Sequence, residues 1–139
     1  MAKHITHKVK FKKTKPKELF ELYMNKKKHG LIAGSPVTIS SKSGTPFSAH
    51  AGYITGTNIH TVKDKLIVQT WRAKDWTPEE PDSIFTIMLE PSGKDTILYA
   101  IHSGVPDAKA ESIDKGWHDH YWKPWKQHLA GKKITRPAM

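Results

Sequence analysis

The sequence predicts an α+β fold in which one long C-terminal helix lies across a curved antiparallel sheet. Short apolar and β-branched runs, separated by turn residues, recur between residues 37 and 103. A long helical pattern follows at residues 109–131, and its apolar face is unusually aromatic. A single helix of this kind must pack on the sheet to bury that face.

The N-terminal segment predicts one strand and one or two short helices. Apolar positions alternate with polar ones, as in a half-buried strand, at Ile5, His7, Val9 and Phe11. Pro16 then starts a helix that ends near Asn25. The basic run that ends in Gly30 stops it, and residues 31–33 add at most one further turn.

The middle of the chain predicts a meander of six strands, which brings the sheet to seven strands in the order β-α-α-β6-α. The six strands are expected at residues 37–41, 47–51, 53–62, 66–73, 83–90 and 96–103. At residues 84–89 both alternating sets are apolar, so the pattern leaves open which face each residue takes.

The last element predicts an amphipathic helix with an aromatic stripe. At 100° per residue, the stripe contains Ile113, Trp117, Tyr121, Trp125 and Leu129, with His118 and Trp122 at the far side of the same half. Pro124 removes the hydrogen bond to the carbonyl of His120 and predicts a kink. We expect one domain over residues 1–139, with residues 134–139 frayed.

Composition excludes several classes of protein. The chain has no cysteine, which excludes disulfides, thiolate metal sites and cysteine nucleophiles and favours a reducing compartment, the cytoplasm. No apolar run reaches the length of a signal peptide core or a membrane span. We therefore expect a soluble cytoplasmic protein.

The net charge of +10 is concentrated at the N-terminus, where residues 1–28 hold ten lysines against two glutamates. Such a face can meet phosphates or an acidic protein, or it can simply keep the surface polar. Nucleic acid is the less favoured partner, because Phe11, Phe20 and Tyr23 fall on the predicted inward faces and cannot stack on bases.

Several local strings resemble a known family. They are Gly52-Tyr53-Ile54-Thr55-Gly56, Gln69-Thr70-Trp71-Arg72 with Trp76-Thr77-Pro78, the stretch from Thr96 through His102-Ser103-Gly104-Val105-Pro106, and Gly116-Trp117 with Tyr121-Trp122. In order and spacing these strings resemble the activator of heat-shock-protein-90 ATPase homologues, a branch of the START-like (SRPBCC) superfamily with the helix-grip fold of birch-pollen allergen.

The resemblance implies a seven-stranded sheet wrapped around the C-terminal helix, with a cavity between them that can hold a lipophilic molecule. It implies two kinds of activity, stimulation of the chaperone's ATPase and carriage of lipids, sterols or polyketides. The chain is similar to a C-terminal-type domain of the eukaryotic co-chaperone, without room for its N-terminal domain.

Large aromatic side chains predict the ligand site, because they can line an apolar pocket and orient a ligand through their polar atoms. The cavity candidates are Trp71, Phe85, Tyr99, His102, Trp117, Tyr121 and Trp125. The alternative is that these side chains only fill the core. We expect a non-catalytic domain that binds a small hydrophobic ligand, a protein partner or both, with regulation of a chaperone ATPase as an alternative function.

The candidates for a partner surface are basic or aromatic and near turns: Arg72, Trp76, Lys26, Lys27 and Lys28. Arg72 can offer a planar donor to an acidic partner. Alternatively, Arg72 makes only local contacts, either stacked on a tryptophan or paired with Asp75 or Glu79.

Motifs for catalysis, cofactors and metals are missing from the sequence, which has no nucleophile elbow, phosphate-binding glycine loop or dinucleotide fingerprint. A cyclase- or hydrolase-like enzyme would need a cavity base such as His102, for which no orienting partner is evident. We expect no metal, because His118 and His120 point about 160° apart on a helix. The strand residues His50, His60 and His102 have no spacing that forces them together.

Overall fold

The computed structural model describes residues 2–135 and contains one six-stranded antiparallel sheet with the strand order β1-β6-β5-β4-β3-β2. The strands are β1 Ala2–Phe11, β2 Pro46–Ala49, β3 Ile54–Val62, β4 Leu66–Ala73, β5 Ser83–Ser92 and β6 Asp95–Pro106. Two short helices, α1 Pro16–Met24 and α2 Lys26–Ala33, connect β1 to the meander. The α+β helix-grip architecture is confirmed.

The C-terminal element is one continuous helical segment made of four parts. A 3₁₀ turn, Asp107–Lys109, leads into α3, Ala110–Trp117. A π turn, His118–Trp122, joins α3 to α4, Lys123–Leu129. Trp117, Tyr121, Trp122 and Trp125 are buried against the sheet, so the predicted aromatic face is the buried face.

Buried residues alternate with more exposed ones along β4 and along β5 as far as Leu89. In β5 the residues Phe85, Ile87 and Leu89 are buried, whereas Ile84 and Met88 lie on the outer face, which settles the alternative that the sequence left open. Where β1 pairs with β6, Gly104 is an extra residue between the partners of Lys3 and His4. Its positive φ of 79° suits glycine, and such bulges bend a sheet.

The predicted strand at residues 37–41 is wrong, and the sheet has six strands instead of seven. In this stretch only Thr38 pairs, in an isolated bridge with Ser48. The carbonyl oxygens of Ser40 and Ser41 accept hydrogen bonds from the side chains of Asn58 and Thr61. Those acceptors are therefore bonded to side chains instead of joining a ladder.

The basic run starts a helix instead of stopping one. The Oδ1 of Asn25 accepts from the amides of Lys27 and Lys28 at 3.1 Å each, which caps the N-terminus of α2. The amide of Asn25 also bonds to the carbonyl of Glu21 at the end of α1. One asparagine thus ends α1 and begins α2, and Gly34 ends α2 with φ of 75°.

The irregularity that Pro124 predicts takes the form of the π turn. The amide of Lys123 bonds to the carbonyl of His118, five residues back, and Pro124 occupies the first turn of α4, where no amide is required. The extra residue in this turn buries Trp122 beside Tyr121. His118, expected within the apolar half, is more than half exposed.

Beyond α4 the chain returns to the core. Ile134 packs against the core cluster, and the side chain of Gln127 makes two hydrogen bonds of 2.9 Å to Thr135. The rest of the segment expected to fray, residues 136–139, lies outside the described residues. Among residues 2–135, no helix has both the length and the apolar character that crossing a bilayer requires.

Candidate functional site

A cavity of about 530 Å³ lies between the C-terminal helix and the sheet, beside β3 and β4. Its apolar wall comes from Ile54, Trp71, Trp76, Ile113 and Trp117. Polar atoms enter it from His50, Tyr53, Asp75, Lys109, His120 and Tyr121. A mostly apolar concavity with a few polar groups is the usual form of a small-molecule site.

Three of the seven predicted cavity residues line this space: Trp71, Trp117 and Tyr121. Phe85, His102 and Trp125 lie on the same face of the sheet or helix but are almost completely buried behind the wall. Phe85 stacks on Trp117 with ring centroids 3.9 Å apart, so it supports the wall instead of forming it.

Tyr99 was predicted wrongly as a cavity residue. In β6 the inward positions are Leu98, Ala100 and His102, and Tyr99 alternates to the outer face. There its ring lies 5.9 Å from the ammonium of Lys8, its neighbour on β1.

His102 belongs to a buried chain of hydrogen bonds. The indole N–H of Trp117 donates to Nδ1 of His102 at 3.0 Å, so the ring proton of a neutral His102 is on Nε2. Nε2 then donates to Oγ of Ser83 at 2.7 Å, and Ser83 donates to the carbonyl of Trp71 at 2.6 Å. Burial lowers the pKa of His102 to about 3. Both ring nitrogens are engaged, which leaves no lone pair for a general base.

A second chain of hydrogen bonds reaches the cavity. Nδ1 of His29 donates to the carbonyl of Tyr23 at 2.8 Å, so the neutral ring accepts at Nε2. The hydroxyl of Tyr121 donates to that nitrogen at 2.9 Å and in turn accepts from Nε2 of His50 at 3.2 Å. Burial lowers the pKa of His29 to about 4, which keeps this relay neutral at its inner end.

His50 is held at the cavity by an uncommon backbone. His50, Ala51 and Gly52 have consecutive φ values of 53°, 56° and 90° in the β2–β3 connection. Residues other than glycine rarely adopt this left-handed conformation, and it persists where surrounding contacts fix it. The ring of His120, on the π turn, lies 5.3 Å from that of His50.

Arg72 organises its own loop. Its guanidinium donates to the carboxylate of Asp82 at 2.7 Å and to the carbonyls of Thr77 and Glu80. Its central carbon lies 5.8 Å from the ring of Trp76. Arg72 therefore contacts a tryptophan and a carboxylate of its own loop, as the alternative to a partner surface expected. The carboxylate is that of Asp82, whereas Asp75 or Glu79 was expected.

Trp76 is a cavity residue and not a surface residue. It is buried, lines the cavity, and its Nε1 has no hydrogen-bond partner within residues 2–135. The lysines of the candidate partner surface lie at the start of α2. Lys28 pairs with Glu21 at 2.8 Å, while Lys26 and Lys27 border a shallow groove with the exposed Leu31.

A cluster that the sequence analysis missed brings together His7, Asp114 and His118. The indole N–H of Trp122 donates to Nδ1 of His7 at 2.9 Å, and Nε2 of His7 donates to Asp114 at 2.6 Å. A metal on Nε2 would require the ring proton to move to Nδ1, where the Trp122 N–H already points. These hydrogen bonds disfavour metal binding at Nε2 of His7. They favour a structural role for the cluster, which joins β1 to the C-terminal helix.

His50, Tyr53, Lys109 and His120 were also missed as cavity residues. His120 lies one helical turn beyond Gly116, which also lines the cavity, and that spacing was a usable signal. The position of His50 depends on three left-handed residues, for which the alternating strand pattern contains no signal.

A family model described as "Activator of Hsp90 ATPase homolog 1-like protein" matches residues 13–130. The human activator of 90 kDa heat shock protein ATPase homolog 1 is 27% identical over 114 residues, which cover 82% of this chain and 33% of that protein. The Dictyostelium discoideum homolog is 29% identical over 103 residues, covering 73% of this chain and 27% of that protein. The chain thus spans about a third of the length of these curated relatives or less.

Solved structures share the fold. An HSP90 activator from Plasmodium falciparum has a TM-score of 0.81 at 22% identity, covering 97% of this chain and 99% of that one. The Aha1 dimer from Colwellia psychrerythraea has a TM-score of 0.76 at 14% identity, covering 91% and 96%. The two curated relatives are named as activators of the 90 kDa heat shock protein ATPase. Because the family model matches most of its residues, this chain belongs to the activator of Hsp90 ATPase homolog 1-like family.

Proposed function

We propose that this protein is a non-catalytic binding module that takes a small apolar ligand into the cavity between its sheet and its C-terminal helix. The observation that carries the proposal is the cavity of about 530 Å³ with its wall of three tryptophans, Trp71, Trp76 and Trp117. Indole faces offer a large apolar contact to a flat or acyl ligand.

A binding role fits the chemistry of the site better than catalysis. The cyclase- or hydrolase-like alternative needs His102 as a base, and the bonds from Trp117 and to Ser83 occupy both of its nitrogens. The proposed ligand is therefore held and released unchanged, without a cofactor. A cysteine-free chain suits a cytoplasmic location.

Filling the cavity tests the ligand proposal. Gly116 lines the cavity, and a Cβ built on it has no neighbour closer than 3.9 Å. We expect Gly116→Leu to remove binding of a hydrophobic fluorescent dye and any adduct seen by native mass spectrometry. Thr86→Leu, on the outer face of β5, adds similar bulk and should leave both unchanged. Equal dye binding by both variants would contradict a ligand in this cavity.

A second function, regulation of a 90 kDa heat-shock chaperone's ATPase, is favoured by the family match. We propose that an acidic surface of the chaperone docks on the exposed start of α2, where Lys26 and Lys27 flank the exposed Leu31. ATP turnover by the chaperone should rise with this protein and fall back with Lys26→Glu and Lys27→Glu together. Lys132→Glu with Lys133→Glu is the matched charge control. Equal stimulation by both double variants would exclude α2 as the docking site.

A further inference from the structure

The relay from Tyr23 to His50 fixes which nitrogen of His50 carries the proton. The carbonyl of Tyr23 can only accept, so His29 donates to it from Nδ1 and accepts from Tyr121 at Nε2. The single hydroxyl proton of Tyr121 is used in that bond, so Tyr121 must accept from His50. The proton of neutral His50 is therefore on Nε2, and its Nδ1 presents a lone pair.

That lone pair is a free acceptor at the cavity. Among residues 2–135, neither Nδ1 of His50 nor the ring of His120 has a hydrogen-bond partner, and both rings line the cavity 5.3 Å apart. The other polar side chains that line the cavity are Tyr53, Asp75, Lys109 and Tyr121, which are all hydrogen-bonded within the protein, and the exposed Ser112. The rest of the wall is indole and aliphatic carbon. The apolar body of a ligand can lie against this wall while one polar group of the ligand reaches Nδ1 of His50, which can only accept.

We propose that the ligand of this cavity is an apolar alcohol or phenol whose hydroxyl donates to Nδ1 of His50. The inference rests on the proposed ligand function and adds the chemical class of the ligand. His120 stands beside this acceptor and can donate to the hydroxyl oxygen, so one hydroxyl group satisfies both imidazoles.

The charges around the site disfavour an anionic ligand. Burial, and then the neighbouring His120, lower the pKa of His50, which keeps it neutral at neutral pH. The carboxylate of Asp75 also lines the cavity, where it accepts from the hydroxyl of Tyr53 at 3.0 Å. The ammonium of Lys109 already bonds to Glu80 at 3.1 Å and to the carbonyl of Asp75 at 3.0 Å. A carboxylate ligand would lose its hydration without gaining a free cation.

Three probes of one shape test the hydroxyl: naphthol, its methyl ether and naphthoate. Titrations of the full chain, read by calorimetry and by tryptophan fluorescence, should show naphthol binding about tenfold tighter than the ether at about pH 8. Naphthoate should bind more weakly still. As the pH falls and His50 takes a proton on Nδ1, the advantage of naphthol over the ether should shrink and naphthoate should gain affinity. Of the groups that face His50, Tyr121 and His29 donate within the relay, and His120 is the neighbouring imidazole that lowers the pKa of His50.

A glycine pair supplies the variant test. His50→Gly removes the imidazole at a backbone position that suits glycine, and Ala51→Gly makes the same change at the next left-handed residue. Only His50→Gly should make naphthol and its ether bind equally. If unaltered protein already binds both equally at about pH 8, the hydroxyl inference is wrong and the cavity proposal stands. If none of the three probes binds, both are wrong. These outcomes need no variant and hold even if His50→Gly fails to fold.

Discussion

The indole ring of Trp117 lies flat on the phenyl ring of Phe85, with centroids 3.9 Å apart and planes 7° from parallel. The N–H edge of the same indole donates to His102 on the neighbouring strand. Trp117 thus ties the C-terminal helix to β5 and β6 at once, while it also lines the cavity. Trp117 therefore belongs both to the wall of the candidate site and to the core of the fold.

The contribution of the Trp117 hydrogen bond to stability can be measured separately from that of its side-chain volume. Trp117→Phe keeps an aromatic ring but leaves Nδ1 of His102 buried without a donor. The indole N–H of Trp71 donates to no residue within 2–135, so Trp71→Phe loses only ring volume. We expect Trp117→Phe to lower the free energy of unfolding by about 1–3 kcal/mol more than Trp71→Phe. Urea denaturation measures both. Equal losses would show that the bond to His102 contributes nothing.

Two buried histidines should make stability fall in mild acid. Burial lowers the pKa of His29 to about 4 and that of His102 to about 3, from an ordinary value of 6.5. Below about pH 6.5 these histidines bind protons in the unfolded chain but not in the folded one. Their contribution to stability is therefore complete above that pH and is lost as the pH falls toward their pKa values in the folded state. Each histidine contributes a slope of up to about 1.4 kcal/mol per pH unit.

The interval between pH 6.5 and 4.5 separates the histidines from the carboxyl groups, although His50 and His118, whose pKa values are also lowered, contribute there too. The carboxyl groups whose pKa is lowered, those of Glu21, Glu80 and Asp95, have ordinary values of 4.5 or below, so they lose their contribution at lower pH. His102→Gln should flatten the stability profile in this interval, while His60→Gln, on the exposed part of β3, should leave it unchanged. Denaturation midpoints across the interval decide between the two.

Substitution by alanine should change the stability in opposite directions at two glycines. A Cβ at Gly56 would overlap the carbonyl oxygen of Thr70 and lie 2.6 Å from Cε1 of Phe47. Gly56→Ala should therefore cost at least about 3 kcal/mol of stability or prevent folding. Gly116 is helical with free space at its Cβ, so Gly116→Ala should add up to about 1 kcal/mol. Thermal melting of the pair checks both signs.

Asn25 should matter more than an exposed asparagine normally does. Asn25→Ala removes the acceptor for the amides of Lys27 and Lys28, and we expect a loss of about 1 kcal/mol with lower helix content by circular dichroism. Asn25→Asp keeps the cap and should retain the stability. A loss of equal size in both variants would mean that the cap is not the cause.

Regular periods in the sequence predicted most of this fold. The bounds of β4, Leu66–Ala73, agree with the prediction, because one polar and one apolar set alternate there without interruption. The strand at residues 37–41 failed because side chains from β3 bond to its carbonyls, and such contacts have no local pattern. The cap at Asn25 was visible in principle, since asparagine before a helical run is a start signal.

The candidate site was predicted only where it coincides with the core. Trp71, Trp117 and Tyr121 follow strand and helix periods, and the same periods exclude Tyr99, which lies three positions from the inward His102 in one strand. His50 could not be found this way. Its place depends on a left-handed backbone and on Tyr121, which lies 71 positions away in the sequence.

The π turn has a consequence for how the length of this chain can vary. Because the amide of Lys123 bonds five residues back, the turn at His118–Trp122 contains one residue more than an α-helical turn. Deleting a single residue there would restore an ordinary turn and leave Trp125 and Leu129 on their present side. We therefore expect homologous chains to differ by one residue at this point without losing the fold, whereas a deletion elsewhere in α3 or α4 would rotate everything beyond it by about 100°.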